Sequence, residues 1–378
     1  MSKKKYIRLF KPTVGTPELN AIKKIFKKSW LGYGEQVNQF EKKFAKFIGT
    51  KYAIALNSCT SALYLSLVVN NFKKKKKVLV PSLTFSATAA AVLYNDLIPV
   101  FVDINDNDLN MSFDDLKKKY TKDCVAVIAV HFGGHPCRMD KIVPWAKKKG
   151  LVVIEDCAHT CGSIYKGKKL GNWGDFGCFS FEDKKVITTG DGGMLCTNNK
   201  KRFIKLKSLS FHGWDTDPWT RHKNNKSKNN WYYQIKNLGY KCNMNNVMAS
   251  IGLEQLKKLR NLNKKRISIL KRYISNLKGI KQIKFAWEFS LKNSCYWLFS
   301  LKIKNRDQFM KFLKSKGIST GVHLMPLPLH PIYKRYNKNV KRVTSTWKNL
   351  VSLPFFPDIK NSEVDYVIKN VKEYFALK

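Results

Sequence analysis

The sequence predicts an α/β fold, with a mostly parallel sheet flanked by helices in a large unit and a smaller α/β unit after it. Three observations predict this. Over the first ~260 residues, short β-rich apolar runs alternate with helical patterns, as in parallel strands joined by crossover helices. Each run is followed by polar or glycine-bearing residues, as expected where strand ends build a site. Beyond Gly252 the texture changes to a long amphipathic stretch, which sets the boundary between units 1–252 and 253–378.

Taken in order, Thr16-Pro17-Glu18 opens a helix with a cap residue, a proline at its first position and an early acid. Tyr52 to Leu56 is a short apolar strand, and Asn57-Ser58-Cys59-Thr60 caps a helix running through Leu67. Val78 to Val80 reads as a strand and Phe85 to Tyr94 as a helix. Pro99 to Val102, Val125 to Val130 and Leu151 to Ile154 are buried-strand runs. Asp215 to Asn230, rich in Asn, Lys and Trp and without periodicity, reads as a long loop. Leu253 to Leu277 has apolar residues at helical spacing, among them Leu256, Leu259, Leu262, Ile267 and Leu270. A strand from Trp297 to Ile303, a helix from Arg306 to Lys316 and a closing helix near Val364 to Phe375 complete the smaller unit.

A hydrophobic fraction of 44% over 378 residues fills a sizeable core. No apolar run reaches the ~18 residues of a membrane helix. The basic start, Met1 to Lys5, has no apolar signal segment behind it, so a cytoplasmic protein is expected. The nine cysteines show no metal spacing, and neither a metal site nor a disulfide framework is expected. The formal charge of +45 raises the question of an acidic partner. Lysine runs such as Lys73 to Lys77, Lys117 to Lys119 and Lys147 to Lys149 recur along the whole chain, however, at the ends of elements. A nucleic-acid binder gathers its charge into one stripe with aromatics placed for stacking. The distribution therefore implies solvated lysines and no specific nucleic-acid partner.

Three segments carry candidate chemistry. Asn57-Ser58-Cys59-Thr60-Ser61-Ala62 is a strand end entering a helix, where N–H groups and hydroxyls suit an anion. Serine and threonine there are also ordinary caps. Val153-Ile154-Glu155-Asp156-Cys157-Ala158-His159 puts acids directly after an apolar strand, where burial demands a cationic partner or a capping role. Cys178 to Gly193 sets Lys184 and Lys185 between an apolar run and the glycine-rich Thr188-Thr189-Gly190-Asp191-Gly192-Gly193. A lysine fixed and partly desolvated in such a place can keep a neutral amine, and the glycines let backbone approach a ligand. On an extended segment the two lysines would point in opposite directions.

Across nearly its whole length the chain resembles the sugar aminotransferases of the DegT/DnrJ/StrS family. Its most specific marks are Phe179-Ser180-Phe181 with Lys185 and the segment Thr188 to Gly193; Gly239 to Met244 and Gly133-Gly134-His135-Pro136 support it. The resemblance implies the aspartate-aminotransferase type of fold, with pyridoxal 5'-phosphate (PLP) as cofactor and pyridoxamine phosphate (PMP) as its form during turnover. By the family pattern Lys185, four after Phe181 and three before Thr188, is the Schiff-base residue. Asp156 matches the carboxylate pairing with the pyridine nitrogen, His159 the residue near the phenolic oxygen, and Phe85 the aromatic stacked on the ring. Thr60, Ser61 and Ser180 fall where the family binds phosphate. Asn243 matches a phosphate ligand supplied by the neighbouring subunit, which implies a homodimer with shared sites. Asp191 stands where the family usually has Glu, and Cys59 and Cys242 replace commoner residues.

The resemblance further implies glutamate as amino donor and a nucleotide-diphosphate-linked keto-deoxy sugar as acceptor, with C4 favoured over C3, for surface polysaccharide or glycan biosynthesis. Lys241 and Arg221 are candidates for the diphosphate, and His323 and His330 for the sugar pocket. Two alternatives stand beside this. Related 3-dehydratases carry His in place of the Schiff-base lysine, against which Lys185 argues. A non-enzymatic regulator or nucleic-acid binder on the same fold would lack reason to keep every catalytic residue type.

Overall fold

The computed structural model describes residues 6–223, 231–292, 294–336 and 339–377. Twelve strands occur among them: β1 (Tyr52–Leu56), β2 (Lys77–Pro81), β3 (Ile98–Val102), β4 (Cys124–Val130), β5 (Val152–Asp156), β6 (Ile164–Tyr165), β7 (Lys168–Lys169), β8 (Phe176–Ser180), β9 (Gly193–Thr197), β10 (Ile283–Phe285), β11 (Phe299–Ile303) and β12 (Leu350–Leu353). The helices are α1 (Thr16–Lys27), α2 (Glu35–Ile48), α3 (Cys59–Val68), α4 (Ser86–Leu93), α5 (Phe113–Lys119), α6 (Met139–Lys148), α7 (Lys200–Ser210), α8 (Pro218–Lys223), α9 (Asn246–Leu277), α10 (Arg306–Ser315), α11 (Lys341–Trp347) and α12 (Asn361–Ala376).

Seven strands form the central sheet in the order β1-β9-β8-β5-β4-β2-β3. Pairings from β8 to β3 are parallel, and only β9 runs antiparallel to its neighbours β1 and β8. The strands are Val- and Ile-rich because helices cover both faces. Alternate residues divide accordingly. Val80, Ile128 and Ile154 join the core under α2, α3 and α9, whereas Leu79, Val127 and Val153 pack against Leu116 of α5 and Ile142 of α6. Strands β10, β11 and β12 form a separate antiparallel sheet, and β6 with β7 a short hairpin.

Three readings from sequence change. Helix α9 starts at Asn246, seven residues before the expected Leu253, capped by Asn245 through the N–H of Met248. Gly252 does not break it; a Cβ there would lie 2.6 Å from the ring of Phe40, so the glycine admits α2 against α9. The expected 252/253 division thus falls inside this helix. Within the expected loop 215–230, Asp217 accepts the N–H and hydroxyl of Thr220 and starts the short α8; residues 224–230 lie outside the described residues. Among the described residues no helix is long and apolar enough to cross a membrane. Finally, the N-terminal segment joins the far end of the chain: the N–H of Ile7 donates to Gly317 O, and Leu9 O accepts from the N–H of Phe355.

Candidate active site

The carboxyl ends of β1, β4, β5 and β8 face a cavity of about 390 Å3. Because β9 is antiparallel, its amino end reaches the same edge, bringing the glycine-rich turn before it beside the start of α3. Ser58 caps that helix. Its Oγ accepts the N–H of Ser61 (3.1 Å) and lies 3.0 Å from Ser61 Oγ, which donates to Asn57 Oδ1 at 2.7 Å. The first-turn N–H groups have no intrahelical acceptor and open toward the cavity, with Thr60 on its wall. A Cβ on Gly193 would lie 2.3 Å from the Ser58 backbone. Ser180, at the end of β8, lines the same corner and accepts the N–H of Glu182.

Asp156 ends β5 and is buried. Thr88 on α4 donates to its Oδ2 at 2.9 Å, the N–H of Ala158 donates to Oδ1 at 3.0 Å, and Thr84 stands 2.8 Å behind Thr88. Burial pushes the carboxyl of Asp156 up, against the pull of these hydrogen bonds and of Lys185. Among the described residues no cation pairs directly with this carboxylate, and Lys185 acts on it only from a distance. Phe85, just before α4, lines the cavity with a ring that is 59% exposed.

The lysine pair sits in a turn and not on an extended segment, because the N–H of Lys185 donates to Glu182 O at 2.9 Å. The two amines still part. Lys184 is exposed, with its Nζ 3.4 Å from Glu182. Lys185 lines the cavity, its Nζ 3.9 Å from the centroid of the Trp297 ring. Burial pushes the Lys185 amine down, while Glu182, Asp156 and Cys59 oppose that.

His159 lies parallel to Trp297 at 4.2 Å between ring centroids, and its Nδ1 accepts the N–H of Gly133 at 3.2 Å. Burial, then the charge of Lys185, pushes it well down, which keeps the imidazole neutral. Gly133 and Gly134 both have positive φ, and a Cβ on Gly134 would lie 2.4 Å from Cys295 O. This pair lets the segment before β11 close over the cavity. His323 lines the cavity too, with Nδ1 3.0 Å from Ser352 Oγ, and is pushed down to about 4 by burial and then by Lys185.

Other expected residues lie elsewhere in the chain. Ser61 stands behind the helix cap. Asn243 opens onto a second cavity of about 520 Å3 beside Lys207 and Trp214, where its Oδ1 accepts from Lys241 Nζ at 2.7 Å. The Lys241 amine caps Phe211 (4.2 Å). The Arg221 guanidinium packs over Trp214 and Tyr233 and donates to Trp231 O. His330 follows a short turn and its N–H donates to Leu327 O. None of these five side chains lines the first cavity within one chain. A buried cluster of His131, Glu155 and Cys157 has metal-like proximity, but its donors are committed. The N–H of Cys137 donates to His131 Nδ1, so Nε2 carries the proton and donates to Glu155, whose oxygens also take the N–H groups of Gly171, Trp173 and Gly174.

Over residues 12–372 the sequence matches the DegT/DnrJ/EryC1/StrS aminotransferase family. The chain belongs to this family. It is 35% identical to the spore coat polysaccharide biosynthesis protein SpsC of Bacillus subtilis, over 96% of this chain and 95% of that protein. It is 32% identical to GDP-perosamine synthase of Escherichia coli O157:H7, over 99% of this chain and all of that protein (100%). Among solved structures, the aminotransferase TlmJ of Streptoalloteichus hindustanus is similar with a TM-score of 0.91 at 27% identity, covering 99% of this chain and 100% of that one. Spr1654 of Streptococcus pneumoniae in its PMP form gives 0.91 at 27% identity, covering 98% of this chain and 99% of that one, and it has also been solved in a PLP form. The protein is a PLP-dependent sugar aminotransferase.

The cavity of this aminotransferase fits the cofactor on its own features. It offers a helix start for a phosphate, an exposed aromatic face for a flat ring, a buried carboxylate that forms no ion pair among the described residues, and a half-buried amine with a lowered proton affinity. Sequence reasoning missed Thr88, Trp297 and Phe10. Thr88 reads as part of an apolar helix, and the other two reach the cavity from distant parts of the chain, so no local signal marks them.

Proposed function

We propose that this aminotransferase moves an amino group from glutamate to the C4 keto group of a nucleotide-diphosphate-linked deoxy sugar, in the cytoplasm, for surface polysaccharide or glycan biosynthesis. The observation that carries this reading is one cavity holding a desolvated lysine amine and a buried carboxylate that forms no ion pair among the described residues. When bound, PLP supplies an electrophilic carbon for the amine and a ring that withdraws electrons.

The chain's own residues divide the work. Lys185 is the covalent attachment point. Its Nζ would be the group that takes the proton from the donor's α-carbon and passes it on, which requires the neutral amine that burial favours. Asp156, oriented by Thr88 and the Ala158 N–H, would hold a proton on the ring nitrogen. His159 and Phe85 both line the cavity, where His159 would meet the phenolic oxygen and Phe85 the face of the ring. Thr60 and Ser180 would hold the phosphate, with Ser61 fixing the helix cap behind them and Asn243 contributed across a homodimer. His323 would line the acceptor's sugar pocket, whereas Lys241, Arg221 and His330, which lie outside this cavity in their own chain, would serve the diphosphate and the sugar only from across the homodimer.

Borohydride reduction of the PLP-loaded protein followed by peptide mapping tests the attachment point. The label should sit on Lys185, and Lys184→Ala should keep most activity while Lys185→Ala loses it by at least about a thousandfold. A label on Lys184, or on any lysine outside this turn, overturns the assignment. The substrates are tested by incubating nucleotide keto sugars with glutamate and locating the new amine by NMR. Amination at C3, or of no nucleotide sugar, overturns that part.

A further inference from the structure

We infer that Trp297 is the positioning residue for Lys185: its indole N–H ties down the lysine turn and its ring screens the amine from water. The inference rests on Lys185 being the attachment point.

Four contacts carry it. The indole Nε1 donates to Lys184 O at 2.7 Å, so the peptide joining the two lysines is fastened to the opposite wall. The Lys185 Nζ lies 3.9 Å from the ring centroid. The ring is itself fixed by parallel packing with His159 (4.2 Å) and Phe10 (5.2 Å). Trp297 is buried, whereas the Lys184 side chain beside it is exposed. The turn has no regular secondary structure of its own. The turn's own bonds, such as Lys185 N–H to Glu182 O, tie it only to its neighbours in sequence, and the indole N–H to Lys184 O bond fastens it to a distant part of the chain.

The ring acts on the amine in two opposed ways. A π face attracts the ammonium form, an effect worth about one pH unit. Exclusion of water disfavours that form, by up to about three to five units for a fully buried group. Desolvation wins, in line with the lowered proton affinity of Lys185. The groups facing this amine are Asp156, Glu182, Lys184, Cys59, His159 and His323. Both histidines are held neutral by burial, and Lys184 is exposed. Glu182 and Asp156 favour the ammonium, so removing the ring leaves them with water as an ally.

The test uses the full-length chain, with and without PLP. Without PLP, limited acetylation across a pH series, read by mass spectrometry, gives the pH at which Lys185 becomes reactive; neighbouring Lys184 is the internal reference. In the unaltered chain Lys185 should react at a lower pH than Lys184. Trp297→Leu should raise the Lys185 midpoint by about one unit or more and leave Lys184 unchanged. Trp297→Phe keeps a ring and loses the N–H, so its midpoint should stay near that of the unaltered chain. With PLP, this variant should lose about tenfold in kcat with little change in KM for the amino donor. An unmoved midpoint in Trp297→Leu overturns the screening, and an unaltered kcat in Trp297→Phe overturns the anchor. If Trp297→Leu fails to fold, the Phe variant and the Lys185-to-Lys184 comparison still decide. Borohydride labelling of the unaltered chain keeps the two levels apart. A label elsewhere than Lys185 removes the underlying assignment, while a label on Lys185 with unmoved kinetics and midpoints removes only the role of Trp297.

Discussion

Single residues at this site carry opposite demands for folding and for chemistry. Asp156 is the clearest case. Burial holds its carboxyl above the usual carboxylate range. A raised value in the folded chain means the proton is held more tightly folded than unfolded. The stabilising contribution is therefore fully present below the unfolded value and is lost as pH rises through the folded one. At neutral pH without PLP, Asp156→Asn should melt higher than the unaltered chain, by roughly 1 kcal/mol, since no charge is buried. The gap should close at acid pH, where the carboxyl takes up its proton. Adding PLP should reverse the order, because the ligand stabilises the form it binds and the variant lacks the group facing the ring nitrogen. Thermal melts at the two pH values, with and without PLP, check both parts; a variant with an unchanged PLP-induced shift counts against the pairing. Asp156 was legible in the sequence from the apolar run before it. Its supporting hydroxyl was not, because Thr88 looks like one more small residue in Ser86–Leu93 until the helix turns it toward β5.

At the scale of elements, what was legible and what was not follows from how each piece is stabilised. Strands β1 to β5 are short apolar runs buried on both faces, and their composition gives them away. Helix α9 was read seven residues short because glycine suggests an end, whereas Gly252 is there to admit Phe40. The antiparallel β9 follows a glycine-rich turn that says nothing about strand direction. Its direction nevertheless organises the site, since Gly193 lies against the backbone where α3 begins. Gly193→Ala should force the start of α3 to move, as a Cβ would lie 2.3 Å from the Ser58 backbone. The expected outcome is PLP binding weakened by about tenfold or more, with a melting temperature lowered by overpacking of about 1–3 kcal/mol. Titration of cofactor absorbance checks the first and a melt the second. Unchanged PLP affinity would mean that α3 does not hold the phosphate.

For the whole molecule, the position of Asn243 matters most. It faces a second cavity and not the one holding Lys185. If it serves the site of a partner, a Lys185→Ala chain and an Asn243→Ala chain are each defective, yet a mixed dimer has one site with both groups intact, as two-fold symmetry requires. Mixing the two should restore a measurable part of the activity, up to about a quarter of the unaltered level when chains exchange freely. Verified heterodimers without activity would return Asn243 to a role within its own chain, where Lys241 already engages it. This arrangement was legible only through the resemblance, since nothing in the residues around Asn243 distinguishes an inward from an outward asparagine.

The union of the first described residues with the last third of the chain has a consequence for biosynthesis. Ile7 and Leu9 bond to Gly317 and Phe355, and this contact holds Phe10 against Trp297 and the cavity. During translation, Asp156 and Lys185 emerge while the wall that shelters them is still unmade, and the segment of Ile7 and Leu9 waits until Gly317 and Phe355 have been made before it finds its place. Cofactor captured by a nascent chain would thus meet an open, wet half-pocket, and commitment comes only after Phe355 has emerged.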